Sequence, residues 1–273
     1  MKINFLWSQL LVFSIQLYFA SALSLKDQET INSDDYLDDY SAALEDAKNP
    51  TSDKIVNSLI PLRKDNSDLT FDSDGKVLMV FLGKLNDFQY DQGEEIRIIK
   101  DTFITAYPEL KDICSTFESD DIKLEVFQML GMSPYDSSDG VIEIYIDLSD
   151  IFRPCPDPDI ADMECQAEIP LSGNEIPYGQ DIPWYCPEDG ESVSQVSGDW
   201  VQVSEDHFSW MCDEWESSYN NEDIYENRPW TGLGYTYNWG SYNHVGCSEF
   251  AILAYTYAVF NQKMSIEDYC NNI

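Results

Sequence analysis

The sequence predicts an α+β fold, mainly an antiparallel sheet with two or three covering helices, stapled by disulfides. Three observations carry that reading. Some segments repeat apolar residues at every second position, others repeat them at helical spacing, and all seven cysteines lie beyond an apolar leader in a strongly acidic chain.

The leader comes first. Lys2 precedes a mostly apolar run from Ile3 to Phe19 that ends in Ala20-Ser21-Ala22, small residues at the positions signal peptidase accommodates. Ser8, Gln9, Ser14 and Gln16 interrupt the run, which disfavours a permanent membrane anchor. Residues 1–22 are therefore read as a signal peptide, and no later segment is expected to insert into a membrane. Residues 23–65 read as an acidic, disordered arm, most clearly at Asp34-Asp35-Tyr36-Leu37-Asp38-Asp39-Tyr40. Residues 66–273 hold the apolar content of a single domain.

Within that domain, Leu69–Phe71 and Val77–Leu82 flank Asp72-Ser73-Asp74-Gly75, a hairpin signal. Ile96–Ala106 reads as one strand, and Pro108-Glu109-Leu110-Lys111 opens a helix, because proline suits a first helical turn. Leu124, Phe127 and Leu130 form a helical stripe that Gly131 ends. Ile142, Ile144, Ile146 and Leu148 alternate with Glu143, Tyr145 and Asp147, the period of a half-buried strand. Ser204-Glu205-Asp206 caps a helix with Phe208, Met211, Cys212, Trp215 and Tyr219 on one face. Gly234–Gly240 and Phe250–Phe260 read as further strands.

Charge narrows the partners. The formal net charge is −36 at pH 7, and leader removal makes it one unit more negative. Such a surface repels phosphate backbones, so nucleic acid is excluded as a partner, while a neutral glycan, a cationic protein or a weak Ca2+ site stays open. Asp72-Ser73-Asp74-Gly75 and Asp157-Pro158-Asp159 offer oxygen ligands without an EF-hand loop. No Cys-x-x-Cys pair exists and the histidines are His207 and His244 alone, so no metal centre and no cofactor are expected.

Cys155 and Cys165 flank a Pro-Asp-rich loop and are the preferred disulfide pair. Cys247 with Cys270 is the second expected pair. The odd cysteine count leaves one thiol over.

Phe152-Arg153-Pro154-Cys155-Pro156-Asp157-Pro158, Cys165, Pro229-Trp230-Thr231, Leu233-Gly234-Tyr235-Thr236-Tyr237 and Trp239-Gly240 together resemble a family of small secreted proteins known mainly from bacteria, with no established activity. With Pro108–Lys111 and Ser248-Glu249-Phe250 the resemblance spans most of residues 76–255 and implies a shared fold. Gly232 and Asn238 stand where that family tends to carry a basic residue and an aspartate, and His244 and Cys247 are this chain's own.

Two functional classes compete. A secreted binding protein would use the glycine-punctuated aromatic run Trp230, Tyr235, Tyr237, Trp239 and Tyr242, whose alternate members share a strand face. An extracellular hydrolase would use a carboxylate pair drawn from Asp213, Glu214, Glu216 and Glu249 near tryptophans, or Cys247 with His244 and Glu249. Burial of the aromatic row in the core, or of Cys247 in a disulfide, is the competing structural explanation for each.

Overall fold

The computed structural model describes residues 33–165, 168–171, 174–177 and 205–271. The leader, residues 23–32, Cys186 and Ser204 lie outside the described residues. The chain divides into a unit Met1–Asp38 and a unit Asp39–Ile273. In the first, the described residues begin helix α1 (Ser33–Ala47); everything below concerns the second.

That unit contains a six-stranded, wholly antiparallel sheet in the order β2-β10-β4-β1-β3-β9. Its strands are β1 (Val77–Gly83), β2 (Glu95–Arg97), β3 (Thr102–Ala106), β4 (Gly140–Ile146), β9 (Phe250–Ile252) and β10 (Tyr257–Ser265). Two-stranded pairs are formed by β5 (Glu168–Leu171) with β6 (Asn174–Pro177), and by β7 (Tyr235–Tyr237) with β8 (Val245–Ser248). The helices are α2 (Glu109–Cys114), α3 (Ile122–Met129), α4 (Glu205–Tyr219) and α5 (Ile266–Asn271). The α+β expectation holds.

The strand pair β1–β4 runs in unbroken register from Val77↔Ile146 to Gly83↔Gly140. On one face Val77, Met79, Phe81, Ile142, Ile144 and Ile146 pack with Leu62, Leu69 and Ile151 from coil segments. On the other, Val80 and Val141 lie under Leu110, Phe127, Ile266 and Tyr269 from α2, α3 and α5. Strand β4 is thus buried on both faces along most of its length, where alternation predicts one wet face. Glu143 tolerates this because its Oε2 accepts from Asn261 Nδ2 at 2.6 Å and Gln262 Nε2 at 2.9 Å.

Two expected strands are each broken in two by a turn. Ile96–Ala106 splits at residues 98–101 and Phe250–Phe260 splits at 253–256, and the two turns hold each other. Ile98 N–H donates to the Thr256 carbonyl, Tyr255 N–H donates to the Ile98 carbonyl, and Asp101 Oδ1 accepts from Ala254 N–H at 2.7 Å. These pairings are nonlocal, so no single window of sequence displays them.

The predicted acidic arm is partly a helix. Tyr40, Ala43, Leu44 and Ala47 are all buried. Their spacing of three, four and seven makes one face of α1 apolar despite the surrounding acids. Tyr40 packs edge-on against Trp239, its hydroxyl donates to the Asn227 carbonyl, and the Tyr237 hydroxyl donates to Asp46 Oδ2 at 2.8 Å. The segment that follows is also held, since Leu59 N–H and Leu62 N–H donate to the carbonyls of Met163 and Ile160.

Cys155 and Cys165 form a disulfide. The expected Cys247–Cys270 bond is corrected, because Cys270 is joined to Cys114, 156 residues away. Cys247 is a buried free thiol. Proximity in sequence misled here, since α5 turns back onto α2 and presents Cys270 to the end of that helix. Cys212 is also disulfide-bonded.

Arg153 is 0% exposed. Its guanidinium donates to the backbone carbonyls of Asp159, Ile60 and Asp162, faces the Phe250 ring and lies 3.8 Å from Asp162 Oδ1. One buried cation thereby ties the Cys155–Cys165 loop to the segment before β1.

Candidate functional site

The aromatic run expected to bind is mostly core. Trp230, Tyr235, Tyr237 and Trp239 are buried, and their polar atoms are used internally. Tyr235 donates to the Lys54 carbonyl, Trp239 Nε1 to the Met132 carbonyl and Trp230 Nε1 to Glu249 Oε2. Only Tyr242 of that set faces solvent, at 100% exposure. The row does alternate on a strand, but both faces of the small β7–β8 pair are covered, one by α1 and its following segment and the other by the end of α3. Four of the five rings of this row are therefore packing residues, and Tyr242 alone is at the surface.

The proposed thiol site is likewise not assembled. Burial pushes the Cys247 thiol well above its ordinary value, and the nearby Glu109 adds to that, so the sulfur is a protonated thiol without nucleophilic character. His244 stacks on Tyr237 and its Nδ1 meets the Asn238 carbonyl at 3.3 Å. His207 is held neutral, because burial lowers its pKa, and it donates to the Cys155 carbonyl.

Two carboxylates stand out instead, Glu109, half-buried, and Glu249, buried. Glu109 accepts from Ser248 N–H, Ser248 Oγ and Thr105 Oγ1, while Ser248 Oγ accepts from Ile60 N–H. This network again fastens the segment before β1. Glu249 has its pKa raised to about 8, chiefly by burial, with Glu214 contributing and Arg228 opposing. Glu214 is paired with Arg228 at 3.0 Å, and the Arg228 guanidinium covers the Phe103 ring. Glu214 and Glu249 are thus brought near one another beside Trp230, as the carboxylate-pair idea required. Both are engaged internally, however, and Glu249 is buried.

The turn carboxylates considered for Ca2+ cap their own loops. Asp72 Oδ1 accepts from the N–H groups of Asp74 and Lys76, and Asp157 and Asp159 accept from Asp159 and Ala161 N–H. Among the described residues, no group of three or more His, Cys, Asp and Glu side chains is placed to hold a metal ion. No helix among them is long and apolar enough to cross a membrane.

The surface that remains is a strip of the main sheet. The helices cover the Gly140 end of β4 and leave the Tyr145 end more open. Directly opposed residues of an antiparallel pair share a face, so the register places side chains in rows. Glu95 opposes Val259, Val259 opposes Tyr145, and Tyr145 opposes Leu78. Tyr107, just past β3, donates its N–H to Leu78 and completes that row. In the row beside it, Arg97 opposes Tyr257. On the other side, a register shift between Phe260 and Gln262 sets two consecutive amides, Asn261 and Gln262, against Glu143.

This strip is wet and aromatic. Tyr257 is 54% exposed and Tyr255, in the adjoining turn, 61%. Arg97 stacks over both rings, at 4.4 Å from the Tyr255 centroid and 5.9 Å from that of Tyr257. Tyr255 holds this position with φ of 74°, a left-handed conformation that disfavours bulky side chains. Burial and the Glu143 carboxylate raise the hydroxyls of Tyr107 and Tyr145 above their ordinary value, so both are protonated donors. Sequence reading did not select these tyrosines because they come from three separate segments and only the register gathers them.

Comparison with known protein families, with curated proteins and with solved structures finds no match for this chain.

Proposed function

We propose that the protein is an extracellular binding protein whose working surface is the tyrosine-bearing strip of the main sheet. The observation that carries this is the gathering of the exposed Tyr255 and Tyr257 around Arg97, beside the half-buried Tyr107 and Tyr145, on an otherwise well-packed sheet. Large amphipathic rings offer contact area with little side-chain entropy to lose, which is why such clusters serve recognition. Tyr255 keeps an exposed ring at an unfavourable φ, a local cost that packing does not explain. An oxidising extracellular destination fits the disulfides and the apolar leader read in the sequence.

The test is a solution-binding panel of neutral oligosaccharides, acidic polysaccharides and basic polypeptides against the full chain and its Tyr257→Ala variant. At least one chemistry is expected to bind the native chain and to weaken about tenfold in the variant, the scale of one good aromatic contact, while the thermal midpoint stays put. Binding that ignores Tyr257, or no binding at all, sinks the assignment.

A further inference from the structure

We propose that the open edge of the main sheet is an interface between two copies of this chain, β2 of one protomer pairing antiparallel with β2 of its partner about Ile96. The basis is backbone and charge at that edge, independent of what the tyrosine strip binds.

The two edges of the sheet differ. Strand β9 ends it on one side, where Ala251 N–H donates to the Phe152 carbonyl and Phe152 N–H donates to the Ala251 carbonyl, so that edge is closed. Strand β2 ends the other side, and among the described residues no strand lies beyond it. Its ladder with β10 fixes where its backbone points. Phe260 N–H donates to the Glu94 carbonyl and Ile98 N–H donates to the Thr256 carbonyl, so the even-numbered residues turn their groups inward. Alternate residues of an antiparallel strand face the other way. The N–H and C=O groups of Glu95 and Arg97 are therefore directed outward, a template for a further strand.

The side chains at this edge match a second copy of themselves. Glu95 and Arg97 are exposed on either side of the buried Ile96. Antiparallel pairing centred on Ile96 sets Glu95 against the partner's Arg97 and Arg97 against the partner's Glu95, two opposite-charge pairs from one short strand. Both residues present outward groups, so each pair also exchanges backbone hydrogen bonds. A slip of two residues sets Arg97 against Arg97 or Glu95 against Glu95, and a slip of one opposes outward groups with inward ones. One register alone satisfies both charge and backbone.

The surroundings fit the same register. Ile99 is 79% exposed and is carried toward the partner's Gly93, where an added Cβ would meet nothing within 4 Å. Arg97 lies over Tyr255 and Tyr257, and a stacked guanidinium keeps N–H groups at its rim for a carboxylate. Joined this way, two six-stranded sheets become one, and the row Tyr145, Val259, Glu95 runs on into the partner's Arg97 and the partner's Tyr257. Net charge opposes the union, since each copy carries −36. Association is therefore expected to strengthen as salt screens that repulsion.

The experiment is sedimentation of the full chain across a range of concentration at low and moderate salt, with Glu95→Arg, Arg97→Glu and the double reversal. The native chain is expected to double in mass as concentration rises, more readily at moderate salt. Each single reversal places two like-charge pairs across the edge and is expected to weaken association at least about tenfold, while the double reversal restores it. Mixed in equal amounts, the two singly reversed chains carry opposite charges at every opposed position and are expected to form a mixed dimer that neither forms alone. Both positions are exposed, so unchanged thermal midpoints will show that folding is intact. A native chain that stays single at every concentration and salt, a dimer indifferent to the single reversals, or one that neither the double reversal nor mixing restores overturns the interface.

Discussion

Single buried groups set the pH response of this molecule. Glu249 in the folded chain has a pKa near 8 against an ordinary value of 4.5, so folding holds its proton where the unfolded chain releases it. The resulting penalty is absent below about pH 4.5, grows as pH rises and is complete above about pH 8. Glu249→Gln keeps an acceptor for Trp230 Nε1 and removes the ionisation. It is expected to match the native chain in stability at pH 4 and to exceed it by a few kcal/mol at pH 9, as urea unfolding at the two pH values will measure. Cys247 makes a companion case: a native-state thiol titration should leave it unmodified, and it should react on denaturation. The sequence offered both residues as candidates for chemistry. What it could not show was burial, which turns Glu249 into a neutral acid and Cys247 into an inert thiol.

Among the elements, the paired turns at residues 98–101 and 253–256 hold the most consequential piece of geometry. Tyr255 pays for its exposed ring with a left-handed backbone, roughly 1 to 2 kcal/mol for a side chain of this kind, partly offset by the Arg97 stack. Tyr255→Gly relieves the backbone and loses the stack, so its thermal midpoint is expected to move by less than the equivalent of about 1 kcal/mol while ligand binding weakens. A large loss of stability would mean that the ring serves packing. Strand and helix types were legible where the pattern was local, as in the Ile142–Ile146 alternation and the stripe of α4. Helix α1 was missed because four apolar positions, Tyr40, Ala43, Leu44 and Ala47, were hidden among acids. The strip was missed because Arg97 and Tyr257 are 160 positions apart and meet only through strand register.

Over the whole molecule, covalent links and charge act at different ranges. Chain-entropy arguments give the Cys114–Cys270 bond about 5 kcal/mol and the short Cys155–Cys165 bond about 3 kcal/mol. The Cys114→Ser, Cys270→Ser double variant should therefore lose more stability than Cys155→Ser, Cys165→Ser, as compared by chemical denaturation. A net charge of −36 repels itself across the folded surface, so moderate sodium chloride is expected to raise the thermal midpoint. The sheet order carries one more consequence. Strand β10, which follows every other strand in the chain, lies between β2 and β4, and β2 finds its hydrogen-bonded neighbour nowhere else. During synthesis, then, the sheet waits with an open slot until residues 257–265 leave the ribosome, and a chain stopped just short of them would carry an unfilled gap with two sticky edges.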